Sequence, residues 1–408
     1  MEKIAPHPPR RSVRIAAWLI FFLLTCLLAE GIARAIFPVP EIRNFDRARY
    51  SPQMVSGPLL AQATLAHASY IVQSSPDDRA SLHKLNLYGF RDRTWPVKRT
   101  AARRVLVIGD SMVEGFLAEE NQTIPHVLEN LARKANEDVE ILNFGVGGSG
   151  LVHYIPLLQD AVRIFKPDEI VFVLHANDLL GSPTFTQDLV KPTTDAKATG
   201  LWRPRTVDVM ARIARGQAVP RRWHSKPFSF FPAVPDPANP WTQQGEAHAR
   251  FVTPELANAM RAGRFNPFNV GEVEGYEHYL RQPVDIRPWF EFLKQFLDGQ
   301  GIAFSVTYVP QPSQTTDHYR QFKQSYCLPG VPSLTGAIYQ QGAATAASHA
   351  ASLGIPFLDL TPAIRDRESR GERNYWNYDE HMRPEGYAFA AEAIQQMRLK
   401  LHAGKQPK

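Results

Sequence analysis

The chain has 408 residues, 44% of them hydrophobic and 11% aromatic, which suits a large buried core and is too long for one minimal domain. Its 46 basic and 40 acidic side chains leave a net charge of +6, compatible with an anionic partner without specifying one, and no nucleic-acid partner is expected. Two cysteines, Cys26 and Cys327, exclude a disulfide framework and a cysteine zinc site. The first element in the chain is apolar. Residues 15–29 are uninterrupted apart from Thr25, and apolar character resumes over 32–37. That length spans a bilayer if Glu30 and Arg34, spaced i,i+4, pair at the far interface. Lys3, Arg10, Arg11 and Arg14 precede it. The pattern predicts a cytoplasmic tail at 1–14, a single membrane span at 15–37 and a body that is periplasmic or extracellular. A signal peptide cut near Ala33-Arg34-Ala35 is the competing reading, although arginine suits a cleavage site poorly. Both export the body.

Residues 38–100 hold few periodic segments and read as an extended juxtamembrane region, most patterned over 85–92. Strand and helix then alternate. Residues 104–108 form a β-branched run, predicted as the first buried strand. Thr123 is placed to cap a helix with Ile124, Val127, Leu128 and Leu131 on one face. Strands are expected at 139–143 and 170–174. After these the alternation breaks, and 186–284 reads as a lid-like insertion between two parts of one domain, 101–185 and 285–402. The insertion is rich in proline and aromatics (Trp202, Trp223, Phe228, Phe230, Phe231, Trp241). Its arginines at 203, 205, 212, 215, 221 and 222, with Lys226, are opposed mainly by Asp208. Val207, Met210, Ala211 and Ile213 lie at roughly helical spacing, a face that either rests on anionic lipid or is simply solvated. Beyond the insertion come a helix bearing Ile286, Phe290, Leu293 and Leu297, then strands at 303–309 and 356–360. A last helix starts at Pro384 with Tyr387, Ala391, Ile394 and Leu401 inward. Five buried runs with intervening helices predict an α/β sandwich around a parallel sheet.

The chemistry-bearing residues fall at the ends of these strands. Gly109-Asp110-Ser111 follows the first strand, where a tight turn would leave Ser111 at the carboxyl edge of the sheet. His175-Ala176-Asn177-Asp178 follows the third, and Asp379-Glu380-His381 lies before the last helix. Acyl transfer at neutral pH needs a hydroxyl activated by a base and donors aimed at the developing oxyanion. Ser111 is the candidate nucleophile and His381 the candidate base. Asp379, two residues before it, points to the same side of an extended loop and can orient the imidazole. The oxyanion donors would be the Ser111 backbone N–H, a backbone N–H of the glycine-rich loop 143–150, and the Asn177 side-chain amide.

These blocks resemble the SGNH/GDSL hydrolase superfamily. Gly109-Asp110-Ser111 matches its nucleophile block, Gly148, five residues after Asn143, its oxyanion glycine, Asn177 its oxyanion asparagine, and Asp379-x-His381 its acid–base block. The resemblance covers about 104–181 and 285–401. It implies a three-layer, flavodoxin-like sandwich with a five-stranded parallel sheet, and ester chemistry with no cofactor and no metal. Two features depart from the pattern: His175 stands where glycine is common, and the insertion is long. The element from Asn86 to Arg91 looks like that of membrane-anchored bacterial members. An exported body with an aromatic, basic insertion suits an acylated glycan, because aromatic faces stack on sugars and arginines pair with acidic groups. The expectation is a serine esterase that removes acetyl or short acyl groups from an envelope or extracellular glycan. An O-acetyltransferase using the same residues is the alternative, and a non-catalytic, anchored glycan-binding or assembly subunit is the rival of another class.

Overall fold

The β-branched runs become the centre of the molecule. In the computed structural model, the residues described are 11–43, 45–50, 66–73, 80–179, 197–198, 204–214, 219, 221–229, 253–262, 280–281, 283–324, 333–377 and 379–403. Its strands include β1 (Ser69–Val72), β2 (Ser81–Lys84), β3 (Arg103–Gly109), β4 (Val139–Gly145), β5 (Glu169–His175), β6 (Phe228–Ser229), β7 (Ala303–Val309) and β8 (Phe357–Asp359). Its helices include α1 (Arg11–Ile36), α2 (Ser111–Glu114), α3 (Ile124–Lys134), α4 (Leu151–Phe165), α5 (Arg205–Ala214), α6 (Arg287–Asp298), α7 (Gln341–Ser352), α8 (Thr361–Ser369) and α9 (Pro384–Ala403).

The five expected strands form one parallel sheet in the order β8-β7-β5-β3-β4. Counted along the chain this is the order 2-1-3-4-5 of flavodoxin-like folds, whose ligands bind where the winding reverses, beside the first and third strands. Alternation along each strand sends side chains to opposite faces. Val105, Val107, Ile141, Val171 and Val173 pack against α3, α8 and α9 through Ile124, Leu128, Ile364, Tyr387 and Ile394. Leu106, Ile108, Phe144, Phe172 and Tyr308 pack on the other face against α4, α6 and α7, through Leu158, Phe165, Phe290, Leu293 and Ala346. The result is a three-layer α/β sandwich.

The details differ from the sequence expectations in three places. Thr123 precedes α3 but makes no side-chain cap, because its hydroxyl donates backwards to the Glu120 carbonyl. The inward face of α9 runs past Ile394 to Arg398, which is fully buried. Arg398 donates to both carboxylate oxygens of Glu169 at the start of β5. The described parts of 38–100 are no mere extension. Phe45, Tyr50, Tyr88, Phe90 and Trp95 belong to the same core as α4 and β4, with Trp95 stacked 4.5 Å from Phe144. They have no helical or strand period because they pack from irregular loops. β1 pairs antiparallel with β2 and parallel with β6.

Two compact units can be separated, one comprising 1–41 and 199–223 and the other 42–198 and 224–408. The first contains α1, a 26-residue helix long and apolar enough to cross a membrane. Of the aromatic and basic residues expected in the insertion, Trp202, Arg203, Arg215, Phe230, Phe231 and Trp241 lie outside the described residues, as does Cys327. Cys26 is a free, exposed thiol on α1.

Candidate active site

β3 ends at Gly109, and the next residue turns the chain. Asp110 accepts the Met112 backbone N–H at 2.9 Å, capping the short helix α2 that begins with Ser111. Gly109 has no room for a side chain: a Cβ there would lie 2.6 Å from the Val173 carbonyl oxygen. The turn places Ser111 above the sheet's carboxyl edge, next to the third strand of the series.

From the other end of the chain, the loop before α9 delivers the candidate base. Asp379 Oδ1 accepts the His381 backbone N–H at 2.8 Å and also contacts His381 Nδ1. His381 Nε2 lies 2.7 Å from Ser111 Oγ. The three side chains therefore form one hydrogen-bonded chain across 270 residues of sequence. With Nδ1 protonated toward Asp379, Nε2 accepts the serine hydroxyl. Asp379 is buried, and Ser111 and His381 keep only 9% and 8% of their surface exposed. Burial by itself would push the imidazole down, but the Asp379 carboxylate outweighs it by charge and hydrogen bond, and His381 is lifted to about 9. The Phe116 ring lies 4.6 Å from the imidazole ring, shielding one face.

The expected oxyanion donors are placed less uniformly. The Asn177 side-chain amide donates to Asp110 Oδ2 at 3.0 Å, so it sits directly behind the nucleophile, with one N–H engaged. Gly148 is exposed at the tip of the glycine loop, in the left-handed conformation (φ 73°) that favours glycine. Gly147 lies closer to the serine, since a Cβ on it would be 3.8 Å from Ser111 Cβ. The loop is fixed at its base: Val146 donates to the Gly109 carbonyl, and Gly145 to the Asn143 side chain. His175 is fully buried at the end of β5, so it presents no surface to a substrate. Its backbone N–H is held by Asp178. Burial, reinforced by Asp110, lifts the Asp178 carboxyl well above the usual carboxylate range.

Sequence reasoning missed the support beneath the candidate nucleophile. Glu114, three residues after Ser111, is buried and takes a bidentate pair from Arg47 at 3.1 and 2.5 Å. Tyr70 donates to it at 2.7 Å, the Gly147 backbone N–H at 3.0 Å, and His83 Nδ1 lies 3.5 Å away. Burial works against the charge, yet Arg47 holds Glu114 well below the usual range. Burial and the Arg91 guanidinium push His83 down to about 3, so it is neutral. Arg91 itself caps the carbonyls of Glu114, Gly115 and Ala118. The one sequence signal was the patterned stretch from Asn86 to Arg91, whose Asn86 side chain pins its own turn through the backbone N–H groups of Tyr88 and Phe90. No group of three or more metal-ligating side chains occurs among the described residues.

Residues 105–266 match the GDSL-like lipase/acylhydrolase family. That span includes Ser111, Gly148 and Asn177 and ends before Asp379 and His381. No curated protein matches the chain. Among solved structures the chain is similar to a lipase/acylhydrolase from Enterococcus faecalis, at 15% identity and a TM-score of 0.37, covering 75% of this chain and 98% of that one. It is also similar to the psychrotrophic esterase EstA from Pseudoalteromonas sp., at 8% identity and a TM-score of 0.37, covering 74% and 99%. A third is an acetyl xylan esterase, at 10% identity and a TM-score of 0.35, covering 72% and 98%.

Proposed function

The chain carries a GDSL-like lipase/acylhydrolase domain and is a hydrolase of ester bonds, and from that premise we propose that it is a membrane-anchored serine esterase of acetyl or short acyl groups on an envelope or extracellular glycan. The observation that carries the mechanism is the hydrogen-bonded chain from Ser111 through His381 to Asp379. Ser111 Oγ attacks the ester carbonyl carbon, and its proton passes to His381 Nε2. Asp379 holds the imidazole in place and stabilises its charge. The carbonyl oxygen becomes an oxyanion facing the Ser111 and Gly148 backbone N–H groups and the free N–H of Asn177. Collapse breaks the bond to the alcohol, which leaves with the proton from Nε2, and an acyl-serine remains. Water then repeats the sequence and releases the acid.

The anchor is α1, whose side chains from Val13 to Leu28 include Trp18 at 71% and Phe22 at 67% exposed, a surface that water does not stabilise. The basic residues before it support an N-terminal tail in the cytoplasm and a body outside it. The glycan assignment draws on that exported position and on the aromatic, arginine-rich content of 186–284.

A fluorophosphonate probe is expected to label Ser111 and to leave Ser111→Ala unlabelled; equal labelling of both would remove Ser111 from the mechanism. Turnover of an acyl donor with and without acetylated glycan tests the rest. Free acid as the product in both cases supports the esterase, and acyl transfer onto the glycan overturns it in favour of a transferase.

A further inference from the structure

The unit containing α1 holds more than a span. Glu30 lies one turn and a half before the end of α1, and its carboxylate is fully engaged. Oε1 accepts from the Arg205 backbone N–H at 2.7 Å and from Arg34 Nε at 2.6 Å. Oε2 accepts from Thr206 through both its backbone N–H and its hydroxyl, at 3.0 and 2.9 Å. Glu30 is therefore the N-terminal cap of α5, satisfying donors a helix start leaves open. The end of α1 is closed in turn from 221–223: the Arg222 backbone N–H donates to the Ile36 carbonyl, and its guanidinium to the carbonyls of Arg34 and Ala35. These contacts tie α5 and Trp223 to the last turns of α1.

The faces of α5 are sorted. Arg205 and Val209 are buried toward the unit's interior, at 2% and 8% exposure. Val207, Met210 and Ile213, spaced i, i+3, i+6 along another face, are 54%, 66% and 59% exposed. Trp223, which follows Arg221 and Arg222 in the chain, is 53% exposed. Three large apolar side chains on so short a helix cost free energy in water and gain it in the boundary between lipid headgroups and acyl chains. An exposed tryptophan flanked by arginines is the composition of that same zone.

Depth agrees with composition. Arg14 and Glu30 bracket the apolar stretch of α1, and sixteen helical steps separate them by about 24 Å. The hydrocarbon layer is about 30 Å thick, so a helix centred in it carries each charge about 3 Å inside an edge, within side-chain reach of the headgroups. Whatever Glu30 caps starts at the far edge.

We propose that α5 and Trp223 form a second membrane contact in the headgroup zone of an anionic bilayer, with Val207, Met210 and Ile213 entering the acyl boundary and the surrounding arginines meeting lipid phosphates. This rests on α1 being the membrane span. The test uses the full chain in vesicles of phosphatidylcholine and phosphatidylglycerol, with Cys26→Ala and Cys327→Ser removing the native thiols. A fluorophore sensitive to polarity is attached in separate variants at Met210→Cys, Ile213→Cys, Leu23→Cys on α1, and Glu392→Cys on the exposed side of α9. Nitroxide lipids report depth. Emission from positions 210 and 213 is expected to shift to the blue and to be quenched by nitroxide near the headgroup, and position 23 by nitroxide deep in the acyl chain. Position 392 should be indifferent to both. In phosphatidylcholine alone, quenching at 210 and 213 should weaken. If position 23 is quenched while 210 and 213 behave like 392, the second contact is overturned and the anchor stands. If position 23 is not quenched, the anchor fails and takes the proposal with it. Equal quenching with and without phosphatidylglycerol overturns the part assigned to the arginines.

Discussion

As the proposed general base, His381 combines two demands that pull against each other. A general base must be neutral, whereas the pairing with Asp379 favours the imidazolium and lifts it to about 9. At neutral pH the resting imidazole is mostly charged, so kcat/KM on an aryl acetate is expected to rise about tenfold per pH unit below 9 and level off above it. Asp379→Asn should move that inflection toward the ordinary histidine value and lower the plateau by about 10²–10⁴-fold. A wild-type plateau already reached near pH 6.5 would contradict the raised value. The same shift bears on stability. A group raised in the folded state stabilises fully below its unfolded value, about 6.5, and loses that contribution as pH climbs through 9. The protein should therefore surrender part of its stability in the alkaline range where its catalysis is fastest. Glu114 poses a different problem. Glu114→Ala would leave Arg47 buried without its carboxylate, at a cost of about 3–5 kcal/mol, and would free the Gly147 N–H. A denaturation midpoint unchanged in that variant would show that the pair carries no weight.

At the scale of elements, what could be read from the chain and what could not divide along periodicity. The five strands of the sheet were legible because each is a short, mainly apolar run between helical segments, most plainly at 170–174, where every position is apolar and buried. Ser111 and Asn177 stood out as candidates because they follow such runs, and His381 because it lies just before the last helix with Asp379 two residues ahead of it. The Arg47–Glu114–Tyr70–His83 cluster was not. Its members come from four separate segments and have no common spacing, and nothing local marks a charged pair that will be buried. The inward arginine of α9 was hidden for the same reason: Arg398 looks like a surface residue until Glu169, 229 positions away, is beside it. That clamp makes its own prediction. Burial opposes the charge on Glu169, but His402 and Arg398 bring it down to about 2. A depressed carboxylate stabilises above its unfolded value and is lost as pH falls through the folded one. Acid unfolding of the wild type should thus draw on Glu169 between about 4.3 and 2. Arg398→Met should move the onset to higher pH, as followed by circular dichroism; an identical acid profile would dismiss the clamp.

For the whole molecule, the unit boundary near residue 41 predicts which truncations matter. A chain starting at Ile42 keeps Arg47, Tyr70, His83, Arg91 and all of the site. Turnover of a soluble aryl acetate should survive that truncation. A chain starting at Ala101 loses Trp95 and Phe90 from the core and every guanidinium around Glu114, and should not fold. If both truncations are equally active, the segment after the anchor is the loose extension its sequence suggests. Orientation is tested separately. A phosphatase that works only after export, fused to the C-terminus of the full chain, should be active, and activity confined to a cytoplasmic reporter would reverse the topology.

The bond between Ser111 and His381 closes a loop of 270 residues, and on the proposed mechanism this sets when catalysis can begin. During synthesis the serine is made first, and its base follows only after β5, the insertion, β7 and β8. At 5–20 residues per second the interval is roughly 15–50 s. Throughout it the nascent chain holds a hydroxyl no more reactive than any other serine. A chain released at residue 378 would contain all five strands and still be inert. On the proposed mechanism, activity thus reports the arrival of the loop that carries Asp379 and His381.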